Sequence, residues 1–570
     1  MNLKEIIRCA RGDLPADLLI TGGNLLNVFT GEIRPGNIAI KDGVIAGIGD
    51  YGSRQTVDLG GRVVVPGFID AHVHIESSMT GVSEFTRAIL PRGTTTVVAD
   101  PHEIANVLGS DGIRYILSAS ADLPVNVYIM LSSCVPATDM ETAGARLTAE
   151  ELRPFIHEPR VLGLAEMMNY PGVLSAVPDV LNKISMAREA RKPIDGHSPG
   201  LSGAALNAYI AAGISSDHEC TTLPEAREKL RAGMHIMVRE GTAAKNLAAL
   251  LPLIDPRTCR RMMWCTDDRH THDLLREGHI DFIVRSAIRQ GLDPVTAVQM
   301  ATLNPAEYFG LTHLGAIAPG RQADLVMLGD LNNFDIVQVY SRGQPVLGDG
   351  RIAADADRPQ PVNPPRSMNL KAASIDFTIP ARGRFMRVID LVPDQIITRE
   401  IIAPVRADDG LAVADPQQDI LKIAVVDRYS GAGRTGLAFV KGFGLKSGAL
   451  ASSVAHDTHN IIVIGADDRD MAIALRTVVD AGGGLAAVAE ERPLAVLPLP
   501  IAGLMSDAPM EKVCRHLDAL REAVGRLGSP LENAFMTLSF LALPVIPKLK
   551  ITDRGLVDVD NFQIVPLFVE

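Results

Sequence analysis

The sequence predicts an α/β protein built on a (β/α)8 TIM-like barrel, flanked by a small β unit and followed by a further α/β domain. Three observations carry that expectation. From residue 68 onward, short apolar strands alternate with helix-length segments, the pattern of a parallel sheet joined by helical crossovers. Eight such strands can be counted, at residues 68–74, 94–100, 125–131, 161–166, 193–197, 213–218, 234–239 and 261–267, and their span approaches the usual barrel length of about 250 residues. Nearly every strand ends in a side chain able to bind a metal or carry a proton.

Ahead of the barrel, residues 18–20, 37–40, 44–48 and 63–65 read as short strands, and Lys41-Asp42-Gly43 joins two of them with an Asp-Gly hairpin signal. Pro66-Gly67 ends this β unit. Helices expected at 149–157, 180–191, 224–232 and 280–290 fill gaps between barrel strands. A strand at 337–340 and a turn at Ser341-Arg342-Gly343-Gln344 complete the β unit, and the Pro-rich passage at 358–365 reads as a linker. Beyond it lie strands at 422–427, 436–440 and 461–465 and helices at 472–481 and 510–527. The expected division is 1–66 for the first part of the β unit, 67–311 for the barrel, 312–357 for the return, 358–372 for the linker and 373–570 for the C-terminal domain. Gly431-Ala432-Gly433-Arg434-Thr435-Gly436 imitates a phosphate loop but lacks a clear helix after it, so it is discounted.

With 570 residues, 47% hydrophobic and 21% charged, the chain has ample material for large cores. Its net charge of −12 is spread out and no Lys/Arg cluster offers a phosphate-backbone footprint, so nucleic acid is not an expected partner. Six scattered cysteines without a CxxC pair predict reduced thiols and a cytoplasmic location. No apolar run is long enough to span a bilayer, so no membrane association is expected.

The chemistry is concentrated in Gly67-Phe68-Ile69-Asp70-Ala71-His72-Val73-His74-Ile75-Glu76-Ser77-Ser78. In an extended strand Asp70, His72 and His74 share one face, which presents a two-imidazole clamp. Alone, the pair reads equally as core histidines satisfied by carbonyls. The other strand ends supply Asp100, His102 and Glu103, then Glu166, His197, His218, Asp267 and Asp268. Four histidines, a glutamate and an aspartate at one barrel mouth suit one or two divalent metals with imidazole and oxygen donors.

Taken together, Pro66-Gly67-Phe68-Ile69-Asp70-Ala71-His72-Val73-His74, Asp195-Gly196-His197, Ser216-Asp217-His218-Glu219, Asp267 and Gly315-Ala316-Ile317-Ala318-Pro319-Gly320-Arg321-Gln322-Ala323-Asp324-Leu325-Val326 resemble the amidohydrolase superfamily. Five further runs narrow the resemblance to its adenine deaminases: His74-Ile75-Glu76-Ser77-Ser78-Met79, Ala99-Asp100-Pro101-His102-Glu103, Gly163-Leu164-Ala165-Glu166-Met167-Met168, Cys265-Thr266-Asp267-Asp268-Arg269 and Ala451-Ser452-Ser453-Val454-Ala455-His456-Asp457-Thr458-His459-Asn460.

The resemblance implies a metal-dependent hydrolase barrel beside a β-sandwich. It implies two divalent ions per subunit, Mn2+, Fe2+ or Zn2+, with His72, His74 and Asp267 on one, His197 and His218 on the other, and Glu166 between them. Glu166 stands where many relatives bridge their metals with a carboxylated lysine.

The implied reaction, part of purine salvage, is hydrolytic deamination of adenine to hypoxanthine and ammonia by attack of a metal-bound hydroxide on C6. Asp267 is expected to take the water's proton. Glu103 is expected to protonate ring N1, a role that burial would favour by raising its pKa. Candidate substrate contacts are Ser77, Ser78, Asp100, His102, Asp268, His456 and His459, with Asn169-Tyr170 and Arg239-Glu240 as weaker ones. For His456 and His459 a local hydrogen-bonded turn and a second metal site are also open. The alternative activity is that of a cyclic-amide hydrolase or an N-acetyl amino-sugar deacetylase. The resemblance further implies a homo-oligomer, dimer or tetramer.

Overall fold

Phe68–Val73 is buried along its whole length, as a strand covered on both faces must be. In the computed structural model, which describes residues 2–352, 366–393 and 395–569, it starts a curled parallel sheet that continues through Thr94–Ala99, Asn126–Leu131, Val161–Met167 and Ile194–Gly196 in chain order. A second parallel sheet joins Ser216–Asp217, His235–Arg239 and Met262–Cys265. Seven of the eight strands lie within the expected windows, and Val161–Met167 runs one residue past its own.

The two sheets meet at both ends. Asp267 N–H donates to the His72 carbonyl at 2.9 Å beside a parallel bridge between Val73 and Asp267, and Ser215 N–H donates to the Ile194 carbonyl at 2.9 Å. Crossover helices such as Val82–Ile89 and Pro178–Glu189 connect the strands, because parallel neighbours cannot be joined by a tight turn, and Ile280–Arg289 follows the eighth strand. Ile69, Ala71, Val98, Met130, Ala165, Met237 and Met263 form one buried cluster drawn from six strands.

Strict alternation along the first strand does not hold. Its pairing with the second strand slips register between Asp70 and Val73, an irregularity of the kind that re-aims side chains beside active sites. Asp70 therefore does not join the two imidazoles. It accepts from Thr266 Oγ1 at 2.5 Å and sits 3.1 Å from His279 Nε2, pinning the first strand to the eighth.

The β unit is an eight-stranded sheet that forks at Ala16–Leu26, which pairs with three strands. Residues from both arms share one core, including Ile20, Ile40, Val64, Leu325 and Met327. Asp42 and Gly43 both have positive φ, as the predicted Asp-Gly hairpin requires. Val63–Pro66 pairs antiparallel with Leu325–Leu328, so the chain leaves the unit for the barrel and comes back beside its exit. The Pro-rich passage at 358–365, most of the expected linker, lies outside the described residues.

The C-terminal part is a nine-stranded sheet, antiparallel except where Phe385–Leu391 meets Thr435–Lys441. Period-2 alternation gives it two apolar faces. Val426, Ile461 and Val463 pack on one side with Met471 and Leu475 of helix Asp468–Asp480. Val425, Ile462 and Ile464 share the other with Val513 and Leu520 of helix Met510–Arg526. No helix among the described residues is long and apolar enough to cross a membrane.

Candidate metal and active site

Parallel strands aim their C-terminal ends at one mouth, and there the structure gathers side chains from the first, fourth, fifth, sixth and eighth strands. His72 Nε2 and His74 Nε2 lie 3.2 Å apart. Asp267 Oδ1 is 3.5 Å from the first and 3.0 Å from the second. Glu166 divides its oxygens: Oε1 lies 3.3 Å from His74 Nε2, while Oε2 lies 2.6 Å from His197 Nδ1 and 3.3 Å from His218 Nε2. All six are buried except His197, which is 27% exposed at its side chain.

Burial opposes the charge on Glu166, yet His197, His218 and His74 hold it well below the usual carboxylate range. Asp267 is held low against burial by Arg239 and the same two imidazoles of the first strand. His197 is lowered by burial but pushed up to about 9 by Glu219 and Glu166.

The donor set suits divalent cations. His74 Nδ1 lies 3.0 Å from the Asp100 carbonyl; donation there leaves the Nε2 lone pair facing two carboxylate oxygens. Lone pairs and anionic oxygens converging in a buried space repel unless a cation or a proton stands between them.

Three supports were not foreseen. Arg239 Nη1 donates to Asp267 Oδ2 at 2.6 Å, and both its terminal nitrogens pair with Glu219, which lies 3.5 Å from His218 Nε2. Arg239 therefore serves the eighth-strand aspartate, not Glu240, whose carboxylate accepts from Leu247 N–H. Beneath His218, buried Lys229 pairs with Asp217 and donates to the Ser198 carbonyl at 2.7 Å. Lys229→Met leaves Asp217 a buried unpaired anion, so a loss of about 3–5 kcal/mol in urea unfolding is expected; an unchanged midpoint would contradict that pairing.

Of the expected substrate contacts, Ser78 faces elsewhere: its hydroxyl donates to the Ile75 carbonyl at 2.7 Å, the work of a turn maker. Asn169 caps a helix by accepting from Gly172 N–H at 2.8 Å. Asp100 accepts from Ser132 Oγ at 2.9 Å and lies 3.4 Å from His102 Nδ1. Ser77 donates to Asp268 and lines a cavity with Glu103, His270, Val454, His456 and His459. Glu76, buried on the same wall, has its carboxyl pushed up to about 7 by burial and accepts from Ile104 N–H at 3.1 Å.

His102 links the two halves of the site. Its Nδ1 is 3.7 Å from Glu166 and its Nε2 3.5 Å from Glu103. Glu103 in turn meets His456 at 3.0 Å and pairs with His459, so the 456–459 turn closes over the barrel mouth. Against the expectation from burial, Glu103 is held well below the usual carboxylate range: desolvation raises it, but His456, His459 and His102 outweigh that.

Known proteins match along the whole chain. Residues 63–346 match the Amidohydrolase family model and residues 395–563 the Adenine deaminase C-terminal domain model. The chain is 54% identical to an adenine deaminase of Desulfatibacillum aliphaticivorans over 99% of both proteins. It is 48% identical to one from Methanothrix thermoacetophila over 100% of both. A zinc-bound adenosine deaminase structure from Xanthomonas campestris superposes with a TM-score of 0.45 at 17% identity, covering 60% of this chain and 95% of that one. Carrying both matched segments and such identity over its full length, the chain belongs to the adenine deaminase family of the amidohydrolases.

Proposed function

We propose that this chain hydrolyses adenine to hypoxanthine and ammonia at two divalent cations held by His72, His74, Glu166, His197, His218 and Asp267. The observation that carries the reading is the division of Glu166, one oxygen toward the first-strand imidazoles and the other toward His197 and His218. The identity to named adenine deaminases supports the substrate. Divalent cations bound there supply a water acidic enough to attack at neutral pH.

The chain's own residues do the rest. Asp267 keeps Oδ2 on Arg239 and so offers Oδ1, beside His74, as the place for that water's proton. Glu103 lies on the cavity wall and is the group assigned to ring N1. Because it is ionised beside three imidazoles, the proton it delivers rests on a neighbour, and His456, lowered by burial but raised by Glu103 to about 9, is the one that carries it. The apolar side chains of Val454, Leu504 and Met536 offer the same cavity a surface for a flat heteroaromatic ring.

The reading includes a closed (β/α)8 barrel over 67–311, a β-sandwich from 1–66 and 312–357, and a C-terminal domain from 373. It also includes a homo-oligomer, to be measured by light scattering, and a cytoplasmic location, which six free thiols support.

Adenine turnover and metal content measured on one preparation test it. Two equivalents of Mn2+, Fe2+ or Zn2+ are expected, and dialysis against a chelator is expected to abolish ammonia release until metal is returned. Full turnover by metal-free protein would refute the reading, as would hydrolysis of a hydantoin or an N-acetyl amino sugar in place of adenine.

A further inference from the structure

The geometry points to the C-terminal domain as part of the catalytic machinery: the turn carrying His456 and His459 positions the Glu103 carboxylate for the barrel's reaction. The inference rests on the proposed role of Glu103 and assigns a task to the C-terminal segment.

A cation site is the obvious competitor, since Glu103, His456 and His459 place ligand atoms within 4.8 Å of one another. Hydrogen bonding excludes it. His459 Nδ1 accepts from Ala455 N–H at 3.2 Å, so the proton of the neutral ring sits on Nε2, the atom that faces Glu103. A nitrogen that carries a proton has no lone pair for a metal. His459 is thus a donor to one oxygen of Glu103, while His456 Nδ1 addresses the other at 3.0 Å. That His459 is lowered by burial to about 4 agrees with a neutral ring.

The turn is itself held from both sides. The His456 ring stacks on Phe540 with centroids 4.9 Å apart, and the His456 backbone N–H donates to Ser539 Oγ at 3.2 Å. Thr458 donates to Glu141 at 2.7 Å and Asn460 to the Thr142 carbonyl at 2.7 Å, both on the loop after the third barrel strand. The same loop is tied again by Thr142 Oγ1, which donates to Asp553 at 2.7 Å. These bonds fix the imidazoles relative to the barrel, and with them the direction of a carboxylate whose chain neighbours alone leave it several rotamers.

The test is a double-mutant cycle in the full-length, metal-loaded protein. His459→Ala is expected to lower kcat by about 10–100-fold, the range for partners that orient a functional group, while KM moves less than about 3-fold. His459→Gln presents an acceptor to Ala455 and a donor to Glu103 at similar spacing, so it should recover most of that loss. In a Glu103→Gln background, His459→Ala should cost almost nothing more, because it acts through that carboxylate. A packing role would give additive losses and no rescue, and either result overturns the inference.

Two readouts need no substrate. The 15N signals of His459 should report an Nε2–H tautomer, and metal analysis should give the same content in wild type and His459→Ala. A third metal equivalent in wild type that disappears from His459→Ala would overturn the clamp in favour of a cation site. Failure of wild-type protein to deaminate adenine would instead remove the deaminase reading, leaving these two measurements to judge the clamp.

Discussion

Glu166→Ala is expected to lose both metals after dialysis and to lower adenine turnover by at least about 1000-fold, the largest effect of any single change in this chain. The expectation follows from where the two oxygens point. Among the described residues, Glu166 is the carboxylate of the cluster that reaches both groups of imidazoles, Oε1 toward His74 and Oε2 toward His197 and His218. Without it, four imidazoles and Asp267 face one another with a single carboxylate to balance the two proposed dications, and each ion would lose a charged donor. Glu166→Gln should fail almost as fully, because a neutral amide has the reach without the charge. Metal analysis beside circular dichroism checks both variants. Two equivalents retained by folded Glu166→Ala would refute the bridge.

The strands that carry these candidate ligands were legible because short, mostly apolar stretches alternate with helix-length segments and end beside a titratable residue. What the sequence withheld depends on register. Parity places Asp70 with His72 and His74, but a slip between Asp70 and Val73 redirects it to Thr266 and His279. Ser78 carries a hydroxyl like Ser77, and only the backbone turn decides that one bonds Ile75 and the other Asp268. Glu219 was visible beside His218, yet its pairing with Arg239 depends on adjacent sixth and seventh strands placing their ends together. His456 and His459 share no strand face, and the partner of His459 lies 356 residues away in sequence, so local spacing could not reveal that they act on the barrel.

That long-range contact makes Glu103 the second residue with a large expected effect. Glu103→Gln should keep both metals and lower kcat by about 100–10,000-fold, the usual range for a lost general acid–base group. The side chain faces His102, His456 and His459 and contributes no oxygen to the cluster around Glu166, so removing its charge leaves the ligand set whole. The amide retains an oxygen able to accept from one imidazole, but its NH2 meets the second imidazole donor and cannot pass a proton to a ring nitrogen. His456 should register the same change: with its anion gone, burial takes its pKa from about 9 toward or below the ordinary histidine value near 6.5, measurable by 15N titration. Loss of turnover with unchanged metal content and a lowered His456 pKa would place the proton between these two groups. Near-normal kcat in Glu103→Gln would remove Glu103 from the reaction and leave the C-terminal turn with only the work of holding two domains together.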